Sequence, residues 1–135
     1  MKLVLAAACA ITLFASATFA EEMPCPAGQE LVFVRISTIK EGGTRAGFDK
    51  AVADHIKWYR DHGYTTNEQV VANIMDYDKA GKSFSVSQKT VMTIHYNPPW
   101  VANDKPDAAW DALVAEYRAN SDITTDKIAC LPKRK

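Results

Sequence analysis

The stretch Thr44 to Tyr64, TRAGFDKAVADHIKWYRDHGY, constrains the fold more than any other part of the chain. At about 100° per residue, Phe48, Ala51, Val52, His55, Ile56, Trp58, Tyr59 and His62 occupy one half of the helical wheel. Asp49, Lys50, Asp54, Lys57, Arg60 and Asp61 fill the other half, with Ala53 among them. That division predicts a helix laid across a hydrophobic layer, with Thr44 as N-cap and Gly63 just past the C-terminus. Two of the three histidines, His55 and His62, fall near the middle of the apolar half, where a polar ring needs partners.

Around this helix the chain alternates strand and helix signals. Leu31 to Ile39 is β-branched and predicts a first strand, with Val32, Val34 and Ile36 on one face. Lys40-Glu41-Gly42-Gly43 predicts a turn. Gln69 to Tyr77 and Phe84 to Tyr96 predict two strands joined by the short loop Asp78 to Lys82. In the longer one, Phe84, Val86, Met92, Ile94 and Tyr96 are expected on one face. Asn97-Pro98-Pro99-Trp100 cannot continue a strand, because proline lacks a donor and fixes φ. Trp110, Leu113, Val114 and Tyr117 then fall at i, i+3, i+4 and i+7, predicting a helix from Pro106 to Ala119. Ile123 to Leu131 closes the chain as a fourth strand. No repeat, low-complexity segment or linker interrupts this pattern.

The order β-α-β-β-α-β predicts an α+β, two-layer ferredoxin-like sandwich with an antiparallel sheet of order 4-1-3-2. In that order the start of the first strand lies beside the end of the last, which is where Cys25 and Cys130 stand. Residues Met1 to Ala20 carry Lys2, an apolar run from Leu3 to Phe14 and a small-residue ending Ala17-Thr18-Phe19-Ala20, the pattern of a cleaved secretory signal peptide. Lipid attachment at Cys9 is the competing reading, but only Met1 to Ala8 precede it. Cleavage removes Cys9, leaves residues 21–135 as one domain, and places it in the periplasm or outside the cell with no stable membrane anchor. There an even cysteine count favours a Cys25–Cys130 disulfide over a metal site, since close-spaced C-x-x-C pairs are missing.

The chain has 16 basic and 16 acidic residues, a balance that argues against nucleic acid as a partner. The one basic cluster, Lys133-Arg134-Lys135, reads as a solvated tail. The architecture resembles the dimeric α/β-barrel superfamily, ferredoxin-like domains of about this length. The resemblance covers most of residues 21–135 and rests on architecture, with no specific motif. It implies a homodimer with facing sheets and a pocket between each sheet and its helices. Members resembling antibiotic-biosynthesis monooxygenases, haem-degrading proteins, polyketide cyclases and NIPSNAP-like proteins differ widely in chemistry, so it implies no reaction.

No motif specifies a reaction. His55 and His62 lie two turns apart, roughly 10.5 Å along a helix, too far for one metal ion, and no carboxylate shares their face. No metal ligand set is expected. His55 acts singly as a ligand contact, an acid/base or an axial haem ligand, or else is a core histidine bonded within the protein. His62, beside Gly63, reads as a cation at the helix C-terminus. His95, Tyr96 and Trp100 form either a pocket rim or a cover for the sheet edge. Trp58, Tyr59, Tyr77 and Trp110 are expected to be mostly core. The leading expectation is an exported domain that binds a small hydrophobic or aromatic molecule between the first helix and the sheet, with His55, Tyr59, His95 and Trp100 as candidate contacts. The alternatives are a cofactor-independent oxygenase or cyclase using His55 or His95, and an interaction module without a pocket.

Overall fold

A computed structural model describes residues 25–99 and 106–134. Strand β1 spans Gln29–Ile39, helix α1 Arg45–Asp61, β2 Glu68–Asp78, β3 Ser83–Tyr96, α2 Ala108–Asn120 and β4 Ser121–Pro132. The strands form one antiparallel sheet of order β2-β3-β1-β4, which counted from the opposite edge is 4-1-3-2. Both helices cover the same face, and the arrangement is ferredoxin-like. Residues 1–20, with Cys9, and Trp100 lie outside the described residues. No described helix is long and apolar enough to cross a membrane.

The caps explain where α1 begins and ends. Thr44 accepts from the Gly47 N–H at 2.9 Å. At the far end Gly63 takes φ +82°, and the Tyr64 N–H reaches back to the Tyr59 carbonyl at 2.9 Å. This left-handed C′ closure stops the helix at Asp61, three residues short of Tyr64. The turn before α1 uses its glycines for different reasons. Gly42 sits at φ +79°, whereas a Cβ on Gly43 would lie 2.3 Å from the Asn120 backbone oxygen.

Helix α2 lies against α1 and is tied to it at both ends. Asp107 caps α2 by accepting from the Trp110 N–H at 2.9 Å, and the same carboxylate accepts from the Trp58 indole at 2.8 Å. At the other end the Asn120 side-chain oxygen accepts from the Thr44 N–H at 2.9 Å. Between the ties, Trp58, Tyr59 and Leu113 form one buried cluster, and Phe48, Val52 and Val91 form another that joins α1 to the sheet. Tyr117 packs against both.

Two expectations fail on the β2–β3 hairpin. Its register shifts from Asn73↔Val91 to Met75↔Val86, leaving Ser87 to Thr90 as a bulge on β3. The Ser87 hydroxyl accepts from the Thr90 N–H at 3.2 Å within it. The bulge breaks the alternation that would group Phe84 and Val86 with Met92, Ile94 and Tyr96. Because β1 pairs with β3 only as far as Thr90, the outer hairpin has no third strand beside it among the described residues. Tyr77, expected in the core, is 50% exposed there and packs across the ribbon on Phe84, which is 69% exposed.

Cys25 and Cys130 are bonded, joining the segment before β1 to the end of β4, with Cα atoms 5.6 Å apart. The bridge spans 105 residues. A loop of that size constrains the unfolded chain by about 4–5 kcal/mol in the chain-entropy picture. Denaturant unfolding with and without reductant should therefore differ by a few kcal/mol, and thiol titration of the unfolded, unreduced chain should find neither cysteine free.

Candidate functional site

A cavity of about 570 Å³ lies between the helices and the sheet. Its floor is the helix-facing row of β1, namely Phe33, Arg35 and Ser37, with Thr93 and His95 of β3 and Gln69 of β2 beside it. Its roof is Phe48, His55 and Tyr59 of α1 with Trp110, Leu113 and Tyr117 of α2. Pro98 and Pro99 complete one wall, and Ile123, 56% exposed, lines the cavity at the β4 edge. Helical spacing explains the roof: Phe48, His55 and Tyr59 are the inward positions of an amphipathic helix, and burying their neighbours buries them too.

His55 is 7% exposed and sits inside an aromatic box. Its ring centroid is 5.0 Å from Tyr59, 5.4 Å from Trp110, 5.5 Å from His95 and 5.9 Å from Tyr117. Nδ1 lies 3.5 Å from the Tyr117 hydroxyl, a long contact, and Nε2 is buried with no hydrogen-bond partner among the described residues. Gln69 Oε1 is likewise buried and unpartnered.

His95, 5% exposed, is held from behind. The Asn67 Nδ2 group donates to His95 Nε2 at 2.9 Å. Asn67 is oriented in turn by Arg60, whose Nη1 donates to its side-chain oxygen at 2.7 Å and whose Nη2 donates to its backbone oxygen. Thus β3 supplies the ring and the α1–β2 connection fixes its tautomer.

Burial dominates the protonation states. It lowers His55 to about 4, with Gln69 opposing the shift and the Arg35 charge adding to it. His95 falls to about 3 through burial first, then the neighbouring His55, Arg35 and Arg60. Burial also raises Tyr59 to about 12 and pushes the Tyr117 hydroxyl up. At neutral pH both imidazoles are uncharged and both phenols protonated. A general base works best with a pKa near the operating pH, and neither imidazole of this cavity meets that condition. Arg35 is the charge that bears on all four groups.

Of the residues singled out from the sequence, His55, Tyr59 and His95 are brought together around this cavity. His62 belongs elsewhere. Its Nδ1 meets the Trp58 carbonyl at 2.8 Å, its Nε2 meets Asp107 at 3.0 Å, and its ring stacks on Trp58. Tyr96 lies beneath the Arg134 guanidinium, 3.6 Å from ring centroid to carbon, and is not part of the cavity. Arg35, Gln69, Asn67 and Arg60 escape sequence reasoning. The one available signal is an arginine between Phe33 and Ser37, on the face of β1 opposite Val32, Val34 and Ile36. No group of three or more potential metal ligands occurs among the described residues.

No protein-family model and no curated protein matches the chain. Among solved structures the chain is similar to SnoaB, a cofactor-independent oxygenase from Streptomyces nogalater, at 15% identity and a TM-score of 0.40. The match covers 79% of this chain and 95% of that one. At that distance no residue role transfers.

The histidines make stability depend on pH. Each is uncharged when folded down to about 4 or 3, while the unfolded chain takes up the proton near 6.5. Between those values the unfolded state binds more protons, so stability is full above about 6.5 and falls as the pH drops, by up to about 1.4 kcal/mol per pH unit for each ring. Urea unfolding between pH 7 and pH 5 should show this decline, and His55→Asn should remove about half of it. A slope unaffected by that substitution would contradict the assignment.

Proposed function

We propose that this chain is an exported binding domain whose cavity holds a small, largely apolar or aromatic molecule between the helices and the sheet. The observation that carries this reading is the cavity itself. At about 570 Å³ it falls within the range of small-molecule sites, roughly 300–1,000 Å³. It has the matching chemistry too: aromatic and aliphatic walls with a few convergent polar groups, two of them buried and unpartnered. His55, Tyr59 and His95 are the proposed contacts on its wall, together with Trp100 from the connection beyond Pro99. Imidazoles with pKa values near 3 and 4 suit hydrogen bonding to a ligand better than proton abstraction at neutral pH.

Export with removal of residues 1–20 fits the Cys25–Cys130 bridge, since disulfides persist in oxidising compartments. The functional test uses the mature chain. N-phenyl-1-naphthylamine, a neutral apolar fluorophore, should bind with enhanced emission. Ile123→Trp, which narrows the cavity at an exposed position, should weaken binding severalfold without lowering the melting temperature. A native protein that neither binds the probe nor carries a co-purified molecule in native mass spectrometry would overturn the reading.

A homodimer is also part of the proposal. On the sheet face away from the helices, Val34, Ile36, Val70, Met92 and Ile94 form an apolar row that is half-buried and covered by neither helix. Such a row favours self-association. Sedimentation equilibrium at micromolar concentration should give a dimer that Ile94→Glu converts to monomer, and a monomeric native protein would rule the dimer out.

A further inference from the structure

The cavity holds one group that an apolar ligand alone does not explain. Arg35 stands on the helix-facing row of the central strand, between Phe33 and Ser37, with Thr93 and Asp126 as its cross-strand neighbours. Its side chain is 36% exposed, so the guanidinium keeps part of its hydration while it lines an aromatic cavity. Its described anionic partner reaches only one nitrogen: Asp126 Oδ2 accepts from Nε at 3.1 Å. No hydrogen bond from the two terminal nitrogens occurs among the described residues, so the planar edge that pairs bidentately with an oxyanion remains available.

The polar groups around it point the same way. His95 receives the Asn67 N–H at Nε2, and Asn67 cannot turn over without losing the Arg60 donor to its oxygen. The neutral ring therefore carries its proton on Nδ1 and offers the cavity a donor. One acceptor stands on the wall beside these donors: Gln69 Oε1 is buried without a hydrogen-bond partner among the described residues, as is His55 Nε2. The formal charge on the floor is nevertheless positive, carried by Arg35. Arg118 and Asp122, both exposed, also line the cavity and carry opposite charges.

We infer that the ligand of this cavity is an apolar acid, an aromatic or aliphatic body bearing one anionic group, and that Arg35 takes that group at the floor while the helices enclose the rest. The inference rests on the binding function proposed above and names its ligand class. Arg35 is then the specificity residue of the site. His95 is a secondary donor, held in its tautomer by Arg60 and Asn67.

Two probes of similar shape separate the possibilities. 1-Anilinonaphthalene-8-sulfonate carries an anionic group, and N-phenyl-1-naphthylamine is its neutral counterpart. The native mature protein should bind the sulfonate about tenfold or more tightly, the scale of a charge-assisted hydrogen bond. Arg35→Met should abolish that preference while the neutral probe still binds, with the near-ultraviolet circular dichroism of the aromatic cluster as the check on folding. Should Arg35→Met fail to fold, Asp126→Asn provides the second reading. Removing the carboxylate that competes for Arg35 should tighten sulfonate binding and leave neutral binding alone. If the neutral probe binds and the sulfonate binds no better, or if the preference survives Arg35→Met, or if Asp126→Asn leaves sulfonate affinity unchanged, the acid is wrong and the cavity reading stands. If neither probe binds, the cavity reading fails with it.

Discussion

Helix α2 is held by its ends. At one end Asp107 binds the first turn of α2, the Trp58 indole and the His62 ring at once; at the other, Asn120 binds the residue that caps α1. The Asp107 carboxyl is held below its usual range, first by the Trp110 N–H and then by the Trp58 indole, and so stays an acceptor. The stack of Trp58 on His62, with Trp110 against its edge, fills the space around this contact. The pair of helices therefore behaves as one roof set over the sheet. The side chains beneath it, large aromatic rings among them, leave a gap, and the cavity is what remains.

The same clamp accounts for the polarity of the site. A helix free to settle on the sheet would favour a roof of leucine and valine, because tightly packed apolar side chains stabilise more than buried histidines do. The roof here keeps His55 among four aromatic and imidazole rings, with one nitrogen enclosed and unpartnered. Such arrangements lower stability locally and are retained where a site needs them. The apolar packing of Phe48, Val52 and Val91 and the long disulfide loop supply the stability that offsets them.

Much of the architecture was legible because it is local. The wheel of α1 places Phe48, His55 and Tyr59 inward whatever the helix packs on. The alternation of β1 separates Val32, Val34 and Ile36 from Phe33, Arg35 and Ser37. Counting cysteines within the element order pairs Cys25 with Cys130, and the caps Thr44 and Gly63 mark α1 to within a few residues. Where local rules misled, on Tyr77, Phe84 and Val86, a bulge opposite Ile74 and the missing third strand overrode a sound alternation.

The sequence by itself determined which side chains share a face, because that depends only on the periodicity of a helix or a strand. It did not determine which faces meet, or at what offset. The register Arg35↔Thr93 and Arg35↔Asp126, the reach of Asn67 to His95 across 28 residues and the approach of Gln69 to His55 are set by strand pairing and by how the helices sit. An arginine on a strand reads as a surface residue until the sheet puts it under a roof. Only the tertiary structure made Arg35 part of the cavity, since the free energy of a charge depends on what surrounds it in space.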